Sequence, residues 1–322
     1  MSASFRRIDY SLRPAKHAER RMLCDVFRRL HPFGPIEEYV YVGFGSVWFS
    51  DFVLFHRALG IKKMISIEQT VSARDRIEEN KPFRIPVEYR KSGDVLPELD
   101  WNSKHFLWLD YDDPLSTEML QDLGTVARRA QSGTVLVVSV QCMKAPQIAQ
   151  AEQDKSVGAM ERFFTEFGRD RVPPNTTEEQ LYGWAFGTLS RQMVMREIES
   201  ILATRNINTS NTGGSKIDFH SICEIEYEDG AKMTTVVGVF FATEDQNTLR
   251  SCHFETLDFL TNPPGPVRIT VPKLTIREFK RLESQLPLAP GANLDLGTIP
   301  QAEANNFVEM YRYLPNFAVL EG

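Results

Sequence analysis

Two glycines and one glutamate are spaced so that together they could hold a ribose. Gly43 and Gly45 follow the apolar run Tyr39–Val42, and Glu68 comes 23 residues after Gly45. Glycine lets a ligand approach the backbone closely, and an acid at this distance can accept hydrogen bonds from both ribose hydroxyls. Trp48 stands where the third glycine of the dinucleotide fingerprint would be, which favours a nucleoside without phosphates. The alternative is an ordinary α/β unit whose glycines only make a tight turn.

An aspartate in a later turn could complete a nucleoside site. Residues 86–90 are predicted to form a short strand, and the turn Ser92-Gly93-Asp94 follows it. In a doubly wound sheet this turn borders the same crevice as Glu68. Asp94 could then accept a hydrogen bond from an adenine amino group. The other interpretation is an aspartate that caps its own backbone turn.

Three further carboxylates crowd the end of another predicted strand. Residues 105–109 are expected to end in the loop Asp110-Tyr111-Asp112-Asp113-Pro114. Carboxylates this close together are costly unless they face water, a cation or a basic ligand. They could remove a proton from a substrate, bind Mg²⁺ for phosphoester chemistry, or simply precede a helix that begins near Ser116. Asp110 lies nearest the strand tip.

The elements that must position these residues alternate between strand and helix. Residues 38–68 are predicted to form a strand, a glycine turn, a helix and a second strand, and the alternation continues to Val140. The stretch 133–141 is almost wholly apolar, which is typical of a parallel strand buried on both faces. A hairpin over 219–227 and 233–242 predicts an antiparallel edge. The expected fold class is therefore α/β, with a doubly wound, mostly parallel sheet.

Local end signals predict several boundaries. Ser50 is expected to cap the first helix of the α/β unit, and Gly60 to end it. A long helix is predicted over 181–203, followed by a flexible loop over 206–216. The sequence Pro-Pro-Gly-Pro at 263–266 marks a further boundary. The predicted parts are a basic N-terminal helical segment, an α/β domain and a small C-terminal α+β extension, over residues 1–35, 36–262 and 263–322.

The first 31 residues are basic in an otherwise acidic chain. They hold eight arginines and lysines against three acids, whereas the whole chain has a net charge of −6. Residues 16–30 are predicted to form a helix with one apolar face and basic side chains mostly on the other. One interpretation is a solvated helix packed before the first strand. The other is that an anionic substrate, a protein partner or a nucleic acid docks on Arg13, Lys16, Arg20 and Arg21.

The composition argues against several classes of protein. With 42% hydrophobic and 25% charged residues, the 322-residue chain is typical of a soluble globular protein. Four separated cysteines without a Cys-x-x-Cys pair argue against a zinc site or a disulfide framework, and they favour the reducing cytoplasm. The N-terminus does not resemble a signal peptide, and no apolar run approaches the roughly 20 residues that span a membrane. The histidines show no metal-ligand spacing, so no metal site is assigned.

Four short motifs follow one another along the chain. They are the glycine turn, the acid after the second strand, the acidic turn after the third and the aspartates after the fourth: Val42-Gly43-Phe44-Gly45-Ser46, Ile67-Glu68, Ser92-Gly93-Asp94 and Leu109-Asp110-Tyr111-Asp112. With these motifs in order, residues 39–141 resemble a class I S-adenosylmethionine-dependent methyltransferase. The whole chain also resembles uncharacterised bacterial proteins described as O-methyltransferases. The resemblance implies a Rossmann-like sheet of seven strands with an antiparallel edge, S-adenosylmethionine as cofactor, and a methyl acceptor that it does not identify.

The resemblance also assigns roles to individual residues. Glu68 would hold the ribose hydroxyls, and Asp94 would face adenine. Asp110 and Asp112 would border the transferred methyl group, and either could remove a proton from the acceptor. The residues implied to bind the cofactor are Gly43, Phe44, Gly45, Ser46, Glu68, Gln69, Gly93, Asp94 and Asp110.

Two positions depart from the family pattern. Tyr41 replaces the acid that often lies two residues before the first glycine and helps to hold the amino group of the cofactor. Val47 replaces the third glycine of the turn. Two functional predictions follow. The first is a methyltransferase. The second is a methyltransferase-like subunit without activity, which acts as a scaffold or binds a partner or nucleic acid in a bacterial complex.

Overall fold

The apolar runs of the sequence pair into one sheet. The structure is a computed structural model that describes residues 13–212, 214–289 and 291–315, and its sheet has eight strands within these ranges. The strands are β1 (Val40–Phe44), β2 (Lys63–Ile67), β3 (Val87–Glu88), β4 (His105–Pro114), β5 (Val135–Gln141), β6 (Ile217–Glu228), β7 (Lys232–Ala242) and β8 (Val267–Arg268). Their order across the sheet is β3-β2-β1-β4-β5-β7-β6-β8. The first five are mutually parallel, β7 is antiparallel to both β5 and β6, and β8 is parallel to β6.

Helices fill most of the connections between the strands. Within the described ranges they are α1 (Pro14–Arg29), α2 (Ser50–Leu59), α3 (Arg74–Glu79), α4 (Ser92–Val95), α5 (Thr117–Arg129), α6 (Pro146–Gln153), α7 (Ala159–Phe167), α8 (Gly183–Thr212), α9 (Gln246–Arg250), α10 (Ile276–Glu283) and α11 (Gln301–Met310). None of these helices is long and apolar enough to cross a membrane, judged on the described part of the chain.

Both faces of the sheet are buried, because successive residues of its central strands are apolar and point to opposite sides. On β1, Tyr41 belongs to the core that includes α1 and α2, and its neighbour Val42 belongs to the core that includes α5 and α8. Phe27 of α1 stacks on Phe106 of β4, with ring centroids 4.2 Å apart. The predicted α/β architecture with a doubly wound, mostly parallel sheet is therefore confirmed. The division of the chain into three parts stays a prediction.

The prediction of seven strands is wrong, because a short strand extends the sheet beyond β6. The backbone N–H of Ile269 donates to the carbonyl of Glu226 at 2.8 Å. The Arg268 guanidinium also lies 2.6 Å from the Glu226 carboxylate. The sequence predicts a short strand over 267–271, but periodicity does not reveal which strand it pairs with. The Pro-Gly-rich boundary before it suggested a separate extension instead.

The end of α2 is as predicted, but its start is not. Gly60 ends the helix in the left-handed conformation at φ 72°, as predicted. The prediction that Ser50 caps the helix is wrong, because Ser50 is its first residue and Phe49 occupies the cap position at φ 46°. No side chain caps this helix, so its first N–H groups lack a partner of that kind.

The predicted flexible loop over 206–216 is also wrong in its first half, because α8 continues to Thr212. The Asn206 side chain pairs with both backbone groups of Ile217, at 2.9 Å each. These bonds fix the end of the helix against the start of β6. The polar residues that suggested a loop therefore belong to the end of a helix, and one of them, Asn206, binds the next strand.

Candidate active site

The carboxyl ends of the central strands open into a cavity of about 1400 Å³. It lies beside β1, which has β2 on one side and β4 on the other, at the switch point where α/β sheets bind ligands. The structure brings most of the predicted cofactor-binding residues to this cavity. Those that line it are Phe44, Gly45, Ser46, Glu68, Gln69, Gly93, Asp94 and Asp110, and Asp112, predicted as a catalytic residue, lines it as well. Gly43 is not among them.

Carboxylates dominate the walls of the cavity. Nine acids line it: Asp51, Glu68, Asp94, Asp110, Asp112, Asp113, Glu118, Asp122 and Glu166. Three cations line it: Arg20, Arg90 and Lys91. Such a field attracts a positively charged ligand and repels one that carries several phosphates.

Packing requires glycine in the turn after β1, independently of any ligand. A Cβ atom on Gly45 would overlap the hydroxyl of Ser66 on β2, and one on Gly43 would come within 2.5 Å of the Tyr41 hydroxyl. The backbone N–H of Gly45 donates to the carbonyl of Ile67 at 3.0 Å. The turn therefore lies tightly against β2, and its backbone faces the cavity without a side chain at Gly45.

Glu68 lies at the end of β2 as predicted, and its side chain is 8% exposed. One carboxylate oxygen accepts a hydrogen bond from the backbone N–H of Thr70 at 2.6 Å. Burial raises the pKa of Glu68, and the charge of Asp112 adds to this effect. A carboxylate oriented by its own backbone is suited to accept hydrogen bonds from ribose hydroxyls.

Next to Asp94 the structure reveals an acid that sequence reasoning missed. Asp94 lies exposed on α4, so the predicted turn is a short helix. Asp122 of α5 is buried, and it accepts hydrogen bonds from the hydroxyls of Ser92 and Tyr111. Burial raises the pKa of Asp122. The signal in the sequence was an aspartate within the apolar stripe of an amphipathic helix.

The predicted loop after Leu109 is wrong, because β4 continues to Pro114 with an irregular register between Asp110 and Pro114. Asp110 is bound by Lys16 of α1, whose Nζ atom lies 2.6 Å from its Oδ1. Asp112 and Asp113 are exposed. In the described part of the chain, no three His, Cys, Asp or Glu side chains are placed to hold a metal ion.

Basic residues in the first half of α1 are buried, so the interpretation of the helix as solvated is wrong there, whereas Arg21 and Arg28 are exposed. Lys16 is 1% exposed, and its ammonium lies 2.8 Å from Glu19 and 4.3 Å from the centroid of the Trp108 ring. Arg13 and Arg20 are also buried, whereas Arg21 is exposed. Only Arg20 of these residues lines the cavity. The four predicted docking residues therefore do not form one surface, and binding of a partner stays a prediction.

The family model described as "Putative O-methyltransferase" matches residues 8–322. The chain belongs to this family. The resemblance to a methyltransferase that the four motifs predicted is thereby confirmed. No curated protein matches the chain.

Solved O-methyltransferase structures share this fold class at low identity. The chain is similar to an enzyme from Klebsiella pneumoniae described as a putative O-methyltransferase, with 12% identity, a TM-score of 0.38, and coverage of 72% of this chain and 81% of that one. It is similar to TomG from Streptomyces achromogenes in complex with SAM, with 15% identity, a TM-score of 0.36, and coverage of 72% and 90%. It is also similar to an O-methyltransferase from Bacillus cereus in complex with SAH, with 11% identity, a TM-score of 0.36, and coverage of 72% of this chain and 81% of that one.

In this member of the O-methyltransferase family, Asp51 lies beside Tyr41, the residue that replaces the acid of the family pattern on β1. The hydroxyl of Tyr41 donates a hydrogen bond to the carboxylate of Asp51, in the first turn of α2, and Asp51 lines the cavity. Burial raises the pKa of Asp51, while the charge of Arg20 opposes the shift. The sequence motif could not show this pairing, because it joins residues ten positions apart through the fold.

Proposed function

We propose that this chain binds S-adenosylmethionine in the cavity and transfers its methyl group to an acceptor, and that the acceptor atom is an oxygen, as the family description indicates. The observation that carries the proposal is Glu68. It is buried at the end of β2, lines the cavity, and has one oxygen fixed by the N–H of Thr70. In a member of an O-methyltransferase family, this placement suits the ribose of a nucleoside cofactor.

The charge of the cavity supports a sulfonium cofactor over a phosphorylated one. Nine carboxylates line it against three cations, and a sulfonium ion carries a positive charge. Glu68 would hold the ribose, and Asp94 lies by the next strand outward, β3, where it can reach the base. Asp110 lies on β4, on the opposite side of β1, where the register with β5 becomes irregular.

Bound S-adenosylmethionine supplies an electrophilic methyl group, so the task of the protein is to align the reactants. Asp110 is held in one place by the ion pair with Lys16 at 2.6 Å and is still 25% exposed. It can therefore accept a hydrogen bond or a proton from an acceptor hydroxyl in the cavity. The exposed Asp112 remains the second candidate for this role.

A comparison of the affinities of two adenine ligands tests the proposal. We expect S-adenosylhomocysteine to bind the purified chain, whereas ATP should bind at least tenfold more weakly, because its phosphates meet the acidic walls. Isothermal titration calorimetry with each ligand gives both affinities. Tighter binding of ATP would contradict the proposal. No binding of S-adenosylhomocysteine would favour an inactive, scaffold-like subunit.

A further inference from the structure

Arg20 is a buried cation that faces the cavity and forms no ion pair within the described part of the chain. Its side chain is 7% exposed and lines the cavity. Its Nε atom is buried without a hydrogen bond, and none of the described residues forms an ion pair with its guanidinium. A buried arginine normally pairs with an anion, because an isolated buried charge is costly. The missing partner is therefore expected to be part of a ligand.

A second feature beside Arg20 also suits an anion. Helix α2 is ten residues long, and the structure gives it no side-chain cap. Its first residues, Ser50 and Asp51, line the same cavity. The N–H groups and the partial positive charge of a helix N-terminus favour a negatively charged group. Two independent elements, α1 and α2, thus present donors to one region.

The same region also contains a site for a cation. Asp51 lines the cavity, and its carboxylate accepts a hydrogen bond from Tyr41. Burial raises the pKa of Asp51, and the charge of the nearby Arg20 opposes this effect, so the two side chains interact. An anion site and a cation site side by side match a zwitterion.

We infer that Arg20 and Asp51 form a clamp for the α-amino-acid end of the cofactor, with the carboxylate bound by Arg20 and the N-terminus of α2, and the ammonium bound by Asp51. This inference rests on the proposed function, because it assigns an end of the same cofactor. In this inference Asp51 replaces the acid that is missing from β1, and Tyr41 positions Asp51 through its hydrogen bond. It also makes the N-terminal helix part of the cofactor site.

Three ligands that differ only at this end test the clamp by calorimetry. S-Adenosylhomocysteine has both charged groups, its decarboxylated analogue keeps only the amine, and 5′-methylthioadenosine has neither. The wild-type chain should bind them in that order, and each lost group should weaken binding by about 10- to 100-fold, as for a charge-assisted hydrogen bond. Equal binding of all three by the wild-type chain would overturn the inference without any variant.

Two variants then assign the groups. Arg20→Met should weaken binding of S-adenosylhomocysteine more than that of the decarboxylated analogue. Asp51→Asn should weaken binding of both and leave that of 5′-methylthioadenosine unchanged. Arg21→Met is the matched control, because Arg21 is the exposed neighbour on the same helix. Arg20→Lys retains the charge in case Arg20→Met does not fold, and it should keep a preference for the carboxylate.

The outcomes separate the clamp from the proposed function. If S-adenosylhomocysteine binds but Arg20→Met weakens all three ligands equally, or weakens none, the clamp is wrong and the proposed function stands. If the wild-type chain binds none of the three ligands, both fail.

Discussion

Lys16 Nζ lies 2.6 Å from Asp110 Oδ1, so a buried lysine of the N-terminal helix holds this acid of β4. The same ammonium lies 2.8 Å from Glu19, which is fully buried and accepts a hydrogen bond from Thr235 of β7. The ion pair thus connects three separate parts of the chain beside the cavity. It explains why a lysine that looks like a solvated residue in the sequence is 1% exposed.

Lys16→Met should destabilise the chain by about 3–5 kcal/mol, because it leaves the buried Glu19 without a cation. Lys16→Met combined with Glu19→Gln should recover part of this loss, since both charges are then removed. Chemical denaturation measures each free energy of unfolding. Arg21→Met, on the exposed side of the helix, should change stability by no more than about 0.5 kcal/mol. Additive losses in the double variant would show that Lys16 and Glu19 do not interact.

Gly45→Ala should destabilise the chain by about 1–3 kcal/mol, because its Cβ overlaps the Ser66 hydroxyl. Ser66→Ala should restore most of the stability, since that hydroxyl has no hydrogen-bond partner and the Cβ of Ser66 would be 3.5 Å away. Thermal unfolding of the single and double variants checks this. Binding of S-adenosylhomocysteine by the double variant then reports whether the ligand also needs the bare backbone. A double variant as unstable as Gly45→Ala would show that another contact makes glycine necessary.

Binding of S-adenosylhomocysteine should weaken as the pH falls. Burial and the charge of Asp112 raise the pKa of Glu68 above its ordinary value of 4.5. Glu68 therefore becomes protonated at a higher pH than an exposed glutamate does, and it then loses acceptor capacity for the ribose hydroxyls. Calorimetry across a pH series measures the effect. Glu68→Gln should remove this part of the pH dependence, whereas an unchanged slope would assign it to another group.

Stability should fall between pH 6.5 and about 4 because of His105. Burial lowers the pKa of this side chain, which is 1% exposed, from 6.5 to about 4. Within this window the unfolded chain binds a proton that the folded chain does not, so His105 contributes a loss of about 3 kcal/mol as the pH falls. His105→Phe, which keeps a ring beside Trp101, should reduce the loss in denaturation measured at both pH values. An equal loss in the variant would assign it elsewhere, first to His17, whose pKa burial also lowers to about 4.

The sequence predicted the residues whose position depends on strand ends. Gly45, Glu68 and Asp94 lie beside the cavity because the carboxyl ends of parallel strands meet at one edge, a rule that needs only the order of elements. It named Arg20 only as one of four docking residues for an anion or a partner, and it did not predict Asp51. Their role depends on how α1 and α2 pack against the sheet, and a basic helix has the same periodicity whether its charged face meets solvent or a cavity.

The pairing of the eighth strand with β6 and the buried Asp122 were missed for related reasons. Two residues, Val267–Arg268, suffice for β8 because its partner strand supplies the pairing. Asp122 looks like a defect in an apolar stripe until Ser92 and Tyr111 are brought to it by other elements. Local sequence patterns specify helices and strands, but contacts between residues that are distant in the sequence position the other side chains of the site.

Calorimetric titration of S-adenosylhomocysteine into the wild-type chain, Glu68→Gln and Glu79→Gln tests the central claim most directly. Glu79 is the matched control, because it is an exposed glutamate at the end of α3. We expect the wild-type chain and Glu79→Gln to bind equally, and Glu68→Gln to bind about 10- to 100-fold more weakly, for the loss of a hydrogen bond to a charged group. Equal affinity of all three proteins, or no binding by the wild-type chain, would contradict a cofactor site built on Glu68.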